Sequence, residues 1–395
     1  MAAHFINVGQ GSAALFEFSC GLVLVDTGGQ SGSVIDWQSR FADYLDGVFA
    51  RRPDLNRTID VVYLTHPHPD HTLGVSRLIA DNRFSIRHVI TDAETGSAGQ
   101  KQLIAYANVN RIPAAKVTTD MITGPEGLWS KYIDPLRCSG PDPDINVVWG
   151  SYDQRQAWPA AEAKDANNHS VAVHISLGES TFLVTGDMEG PATKAMVARF
   201  AHKPRVLDVD VYVAGHHGSA NGTDGPFVQA MTPEIAIISA GDPSAAEPGQ
   251  FTAFHHGHPN RKALLALSNP TFGVSMSRPP KLVGVGVKGA RPGGLAPAEF
   301  ARETVSRAIF STGWDGDIVV IADRAGSSAS SSTETFRRRI GSRRTTSRSP
   351  STWTRRHLPT RPGGGRRICR PRMGAGRRDR YWGSRCSGPG RRRRW

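Results

Sequence analysis

The stretch "DVVYLTHPHPDHTLGV", residues 60–75, constrains this chain more than any other. An apolar run, Val61–Leu64, feeds a loop that carries His66, His68, Asp70 and His71, with Pro67 and Pro69 between them. The run reads as a buried strand that ends at the histidine cluster. On an extended or tightly turned loop alternate residues point the same way, so His66 and His68 can share one metal ion. Asp70 and His71 lie one turn further on and can reach a second. Neutral imidazoles with a carboxylate suit zinc, and the mixed nitrogen and oxygen donors also accept manganese or iron. A lone histidine is more often structural than a ligand. Four candidate ligands spaced H-x-H-x-D-H at the end of an apolar strand are a different case.

The rest of the chain supplies the scaffold such a loop needs. "HFINVGQGSAALFEF" and "GLVLVDTGG" read as a β-hairpin and a buried strand, rich in Val, Leu and Phe and bounded by Gly. Val34, Trp37, Phe41, Leu45 and Val48 have helical spacing. "IRHVIT" is the next strand, and residues 100–110 suit a helix. A second strand-rich block follows with "SVAVHISL", "STFLVTGD", "DVDVYVAGHHGS" and "EIAIISAGD", and "DGDIVVIAD" closes the pattern. Each half alternates strands with helices, which predicts an α/β fold: two sheets face to face with helices outside, a four-layer αββα sandwich. "KLVGVGVKGARPGG" has Gly-x-Gly spacing without a following helix and reads as a loop, and "DPSAAEPG" as a surface loop or lid.

The formal net charge of +13 first suggests a nucleic-acid binder. Residues 337–395, however, hold 21 Arg and one acid, Asp379, so they carry +20 and leave about −7 for the rest. The expected division is therefore a folded domain over residues 1–325 and a low-complexity, disordered Arg-rich tail over 326–395. An Arg-rich tail would bind nucleic acid nonspecifically by counterion release. Arg without Lys is also what a GC-rich gene read in the wrong frame would give, so no site is assigned there. The four cysteines, Cys20, Cys138, Cys369 and Cys386, include no C-x-x-C pair, and neither a disulfide framework nor a cysteine zinc site is expected. Reduced thiols fit a cytoplasmic setting. Neither a signal peptide nor a membrane span is expected.

"THPHPDH" resembles the H-x-H-x-D-H signature of the metallo-β-lactamase fold superfamily, whose αββα sandwich agrees with the pattern above. The finer resemblance is to its ComEC-type, competence-protein-like branch, through "HFINVGQGSAAL", "LVDTGG", "THPHPDHTLGV", "NNHSVAV", "LVTGD", "GHHGS" and "GHP" in that order. Ser12 departs from the Asp that many relatives have in "VGQGD". The resemblance implies that Asp26 orients the cluster and that Asp187 bridges two metals. One of His216 and His217 then completes the second site, assigned here to His217. His169 becomes a ligand to the first metal, and His258 is the best of His255, His256 and His258 for a site role. Asp70 and His216 are the expected catalytic residues.

Two divalent ions, zinc or else manganese or iron, are thus the expected cofactors of a hydrolase. The resemblance favours a phosphodiester or other phosphoester, in nucleic acid or a small molecule. A carboxylic ester, lactone or β-lactam is the alternative. A redox di-iron use of the scaffold would call for a flavin domain, which is not visible after residue 325.

Overall fold

The computed structural model describes residues 1–30, 35–94, 96–154, 157–242, 252–289, 298–322 and 328–332. The chain divides into one unit, Met1–Arg344, which holds all of these residues, and a second, Thr345–Trp395. Strands β1 (Ala2–Phe5), β2 (Ala14–Glu17) and β3 (Leu22–Val25) form an antiparallel meander, followed by helix α1 (Trp37–Arg51). Next come β4 (Thr58–Ile59), β5 (Val61–Leu64), α2 (Pro69–Thr72), α3 (Val75–Leu78), β6 (Ser85–Ile86), β7 (Val89–Asp92), α4 (Ala98–Val109) and β8 (Ala114–Val117). The second half runs through β9 (Asp144–Trp149), α5 (Ala160–Lys164), β10 (Ala172–Leu177), β11 (Ser180–Val184), α6 (Gly190–Arg199), β12 (Val211–Val213), α7 (Gly225–Met231) and β13 (Ile235–Ile238). It ends with α8 (Ala253–His256), α9 (Arg261–Leu267), β14 (Ser277–Lys288), β15 (Glu299–Arg307), β16 (Ile309–Ser311), α10 (Thr312–Asp315), β17 (Ile318–Ala322) and β18 (Ser328–Ser332).

One sheet has the order β18-β17-β1-β2-β3-β5-β7-β8 and the other β16-β13-β12-β11-β10-β9. Each is antiparallel on one side and turns parallel, from β3 to β8 and from β11 to β16. Alternation along the strands sorts side chains between layers. Phe5, Phe16, Val23, Val25 and Tyr63 of the first sheet share one core with Ile145, Val173, Phe182 and Val184 of the second. The Phe16 and Phe182 rings meet edge to face at 5.7 Å. The first sheet turns Leu15, Leu24, Val62 and Leu64 the other way, onto Phe41, Leu45 and Val48 of α1 and Leu103 of α4. Each such buried side chain contributes roughly 1.5–3 kcal/mol. Asp36 starts α1 by accepting a 2.9 Å bond from the Ser39 N–H, a helix N-cap. With α6 and α7 packed on the second sheet through Met196, Phe227 and Met231, the layers are helix, sheet, sheet, helix, as expected.

Two expectations are corrected here. Of the stretch read as a Gly-rich loop, Lys281–Lys288 form the end of a twelve-residue strand, β14, paired antiparallel with β15, and 290–294 lie outside the described residues. Its valines alternate with glycine and so keep the period of two that a strand needs. Within the segment after residue 325, Ser328–Ser332 pairs antiparallel with β17 at the sheet edge. Residues 323–327 and 333–395 lie outside the described residues, as do 243–251 with the expected lid. Cys20 and Cys138 form a disulfide, where free thiols were expected. They are 118 residues apart, so only the fold brings them together. Disulfides persist in oxidising compartments, and the thiol reason for a cytoplasmic setting falls with this bond. No helix among the described residues is long and apolar enough to cross a membrane.

Candidate metal centre

The parallel strands deliver the cluster. Asp26 follows β3, Thr65 and His66 follow β5, Asp187 follows β11, His216 and His217 follow β12, and Ser239 follows β13. In open α/β sheets the carboxyl ends of parallel strands are where ligands bind. The backbone is bent there to present these groups: Asp26, His216 and His217 have φ of 60°, 49° and 53°. Left-handed non-glycine residues cost of order 1–3 kcal/mol each and gather at functional sites. Gly11 lets the N-terminal loop close over the cluster, because a Cβ there would stand 2.4 Å from the Asp70 carbonyl oxygen.

His71 Nδ1 donates to Asp26 Oδ2 at 2.7 Å, which leaves Nε2 facing inward. That Nε2 lies 3.1 Å from Asp187 Oδ1 and 3.3 Å from His217 Nε2. His217 Nδ1 donates to the Ser239 carbonyl at 2.6 Å, and its Nε2 sits 3.1 Å from Asp70 Oδ2 and 3.3 Å from Asp187 Oδ2. One ligand atom from each of Asp70, His71, Asp187 and His217 lies within 4.8 Å of all the others. Beside them, His66 Nε2 faces His68 Nδ1 at 3.1 Å and lies 3.9 Å from Asp187 Oδ2. Thr65 Oγ1 donates to Asp26 Oδ2 at 2.9 Å and accepts from His66 Nδ1 at 3.1 Å. So Asp26 orients His71 directly and His66 through Thr65, in the manner of groups that stand behind metal ligands. Imidazole nitrogens turned toward each other and toward two carboxylates fit divalent cations.

The electrostatics agree. Burial pulls the His71 and His217 imidazoles down, but Asp187 outweighs it, with Asp26 helping at His71 and Asp70 at His217. His71 ends well above the usual range and His217 at about 10. Burial would raise Asp187, yet His217, His71 and His216 hold it well below the carboxylate range. The site thus stores negative charge that protons neutralise and that a cation could neutralise instead. His66 is pushed well down by burial and by His71.

The expected residues separate clearly. His66, His68, Asp70, His71, Asp187 and His217 come together, and Asp26 stands behind them. His216 lies at the rim, with Nε2 3.9 Å from Asp187 Oδ2 and Nδ1 2.9 Å from Glu189 Oε1, close but misaligned for a hydrogen bond. His169 does not join the cluster, which corrects its expected ligand role. Its Nδ1 accepts from the Tyr152 N–H at 2.9 Å and its Nε2 donates to the Ala163 carbonyl at 3.0 Å, so both ring nitrogens are used. His255 bonds back to Thr252 within its own loop at 3.2 Å. Thr65, Ser239, Glu189 and Ser170, whose Oγ accepts from the Asp187 N–H at 3.1 Å, were not anticipated. Only Glu189, two residues after Asp187, carried a signal in the sequence. Two clefts of about 510 and 550 Å³ open elsewhere, and neither is lined by a residue of the cluster.

An αββα sandwich with histidines and aspartates gathered at the ends of its parallel strands defines a class of metal-binding proteins. The sequence pattern of the metallo-beta-lactamase superfamily matches residues 6–242, and the chain belongs to that superfamily. It is 24% identical over 276 residues to ComE operon protein 3 of Bacillus subtilis (strain 168), covering 68% of this chain and 31% of that protein. Competence protein ComA of Neisseria gonorrhoeae is 34% identical over 77 residues, 20% of this chain and 11% of that one. The chain spans about a third or less of these curated relatives. Among solved structures, the metallo-beta-lactamase fold protein YhfI from Bacillus subtilis matches over 60% of this chain and 85% of its own, at 15% identity and a TM-score of 0.33.

Proposed function

We propose that this chain is a metal-dependent hydrolase acting on phosphoester bonds, phosphodiesters first. The observation that carries the reading is the convergence of His71 Nε2, His217 Nε2 and the Asp70 and Asp187 carboxylates within 4.8 Å. His66 and His68 would hold one divalent ion and Asp70, His71 and His217 the other, with Asp187 facing both. Zinc suits these donors, and manganese or iron is compatible with them. Two such ions supply Lewis acidity and, by lowering the pKa of water to about 7, a nucleophile at neutral pH.

The chain's own groups do the rest. Asp26, Thr65 and the Ser239 carbonyl fix the imidazoles so that little reorganisation is needed during reaction. Asp70 is half-buried, so it can touch both His217 and an incoming water. His216 stands at the rim between Asp187 and Glu189, and although burial lowers its proton affinity, these two carboxylates raise it above the ordinary imidazole range. From there it can neutralise a phosphoryl oxygen or protonate the leaving oxygen. A histidine able to donate a proton at the rim suits an anionic diester better than a neutral lactone or lactam. The resemblance of the motifs to the ComEC-type branch favours the same substrate class.

The test is hydrolysis of bis-p-nitrophenyl phosphate beside a lactone and nitrocefin, using the full chain loaded with zinc or manganese. Diester cleavage that is lost in Asp70→Ala and His71→Ala is the expected result. Cleavage of the lactone or nitrocefin alone would replace phosphoesters with carbonyl substrates. Cleavage of none would sink the hydrolase reading.

A further inference from the structure

We propose that His258 is a substrate-contacting residue, whose Nδ1 hydrogen-bonds an oxygen of the bound phosphoester. This deepens the phosphoester reading above and rests on it.

The loop carrying His258 is built with care. The Asn260 N–H donates to the Gly218 carbonyl at 2.9 Å, tying the loop to the turn that bears His216 and His217. The Gly286 N–H donates to the Pro259 carbonyl at 2.7 Å, tying its other side to β14. Gly257 has φ +69°, and a Cβ there would stand 2.8 Å from the Gly289 nitrogen, so neither a side chain nor ordinary backbone fits. The clamp holds the His258 ring 5.4 Å from His216 and 6.4 Å from His217, centroid to centroid. Yet His258 is only 9% exposed, and its buried Nδ1 has no hydrogen-bond partner among the described residues.

That combination lacks a structural rationale. An unpaired buried polar atom is destabilising, and an apolar side chain would fill the same space without that cost. Of the three imidazoles around it, His217 gives its Nδ1 to Ser239, His216 stands beside Glu189, and His256 stacks on the His258 ring at 5.6 Å, with none of them a hydrogen-bond partner of Nδ1. An imidazole carries an N–H donor and, when neutral, a lone pair, so Nδ1 can meet an oxygen of the substrate.

The experiment uses the metal-loaded full chain with His258→Ala, His258→Asn and His258→Gln. It measures kcat and KM on bis-p-nitrophenyl phosphate, the affinity for inorganic phosphate by calorimetry, metal content and melting temperature. His258→Ala should lower kcat/KM about 10- to 100-fold, mostly through KM, and weaken phosphate binding about tenfold, the range of one hydrogen bond to a charged group. Metal content should not change. Asn, whose side-chain nitrogen falls near the Nδ1 position, should restore more than Gln. Unchanged kcat/KM and phosphate affinity in all three variants would overturn the proposal. So would equal losses in all three that follow melting temperature or metal content. A wild type that binds phosphate through His258 but cleaves no diester would defeat the hydrolase reading and leave the contact standing. A wild type that binds no phosphate defeats both.

Discussion

The His71–His217 half of the centre and the His66–His68 half differ in what stands behind each imidazole. His71 is braced by Asp26 at 2.7 Å and His217 by the Ser239 carbonyl at 2.6 Å. On the other side, among the described residues, His66 has a brace in the Thr65 hydroxyl at 3.1 Å and His68 has none beyond His66, and His68 is half-buried. Asp187 comes within 3.1 and 3.3 Å of His71 and His217 but only within 3.9 Å of His66. His169, expected as a third ligand for the His66 half, is engaged with backbone groups instead. A braced ligand has little freedom left to lose on binding, so the comparison teaches that the two ions should differ in affinity, the tighter at His71 and His217.

The largest expected effect comes from removing the carboxylate both halves face. Asp187→Asn should lower activity by more than about 100-fold, beyond the usual loss for a group behind a ligand, and empty at least the weaker site. Full occupancy in elemental analysis of that variant would break the comparison. Asp26→Asn should cost about 10- to 100-fold in affinity at the His71 site, and less at His66, which it reaches only through Thr65. Equal losses at both sites would show that the braces do not set the difference.

Protonation separates the halves further. His71 and His217 titrate above the usual range, His217 at about 10, so at neutral pH a cation entering there must displace protons. Apparent affinity at that site should fall up to about tenfold per displaced proton for each unit that pH drops below those values. His66 is held well below the usual imidazole range by burial and by His71, so it should release no proton and its half should release fewer. Calorimetry in buffers of different ionisation enthalpy reads the proton count, and equal release for both ions would contradict this.

The smallest effect lies behind His68. Gln100 donates to Asp92 Oδ1 at 2.7 Å, the Gln100 N–H donates to Ser97 Oγ at 3.1 Å, Ser97 meets Thr72 at 2.8 Å, and Thr72 donates to the His68 carbonyl at 3.0 Å. Burial, with Glu94 adding, pushes the Asp92 carboxyl up to about 8. Its contribution to stability is complete below the unfolded value of about 3.9 and declines as pH rises to about 8, by at most about 1.4 kcal/mol per unit. Asp92→Asn keeps the amide contact and should flatten that slope in denaturant melts between pH 5 and 8. An unchanged slope would place the titration elsewhere.

How legible each half was follows from how local its contacts are. H-x-H-x-D-H lies on one loop after one strand, so spacing alone exposed His66, His68, Asp70 and His71. Asp187 and His217 come from strands more than a hundred residues on, and only the resemblance pointed to them. Both sheets could be read because their strands are apolar and bounded by Gly. The β14–β15 ribbon was missed because glycines alternate with its valines. The Ser239 carbonyl carries no side-chain signal at all, and Thr65 looked like the last residue of a strand. His169 sits in a promising motif, and nothing local announces that Tyr152 and Ala163 will occupy its ring. The Cys20–Cys138 bond was hidden for the same reason, since its partners meet only through the fold.

The most direct test of a braced and an unbraced half is a zinc titration of the metal-free full chain by calorimetry, with bound metal counted by elemental analysis, in the wild type, His68→Ala and His71→Ala. The account predicts two ions per wild-type chain with distinct affinities. His68→Ala should lose only the weaker, and His71→Ala should lose the tighter. A wild type that binds no ion, or a His71→Ala protein that keeps the tight site intact, would contradict it.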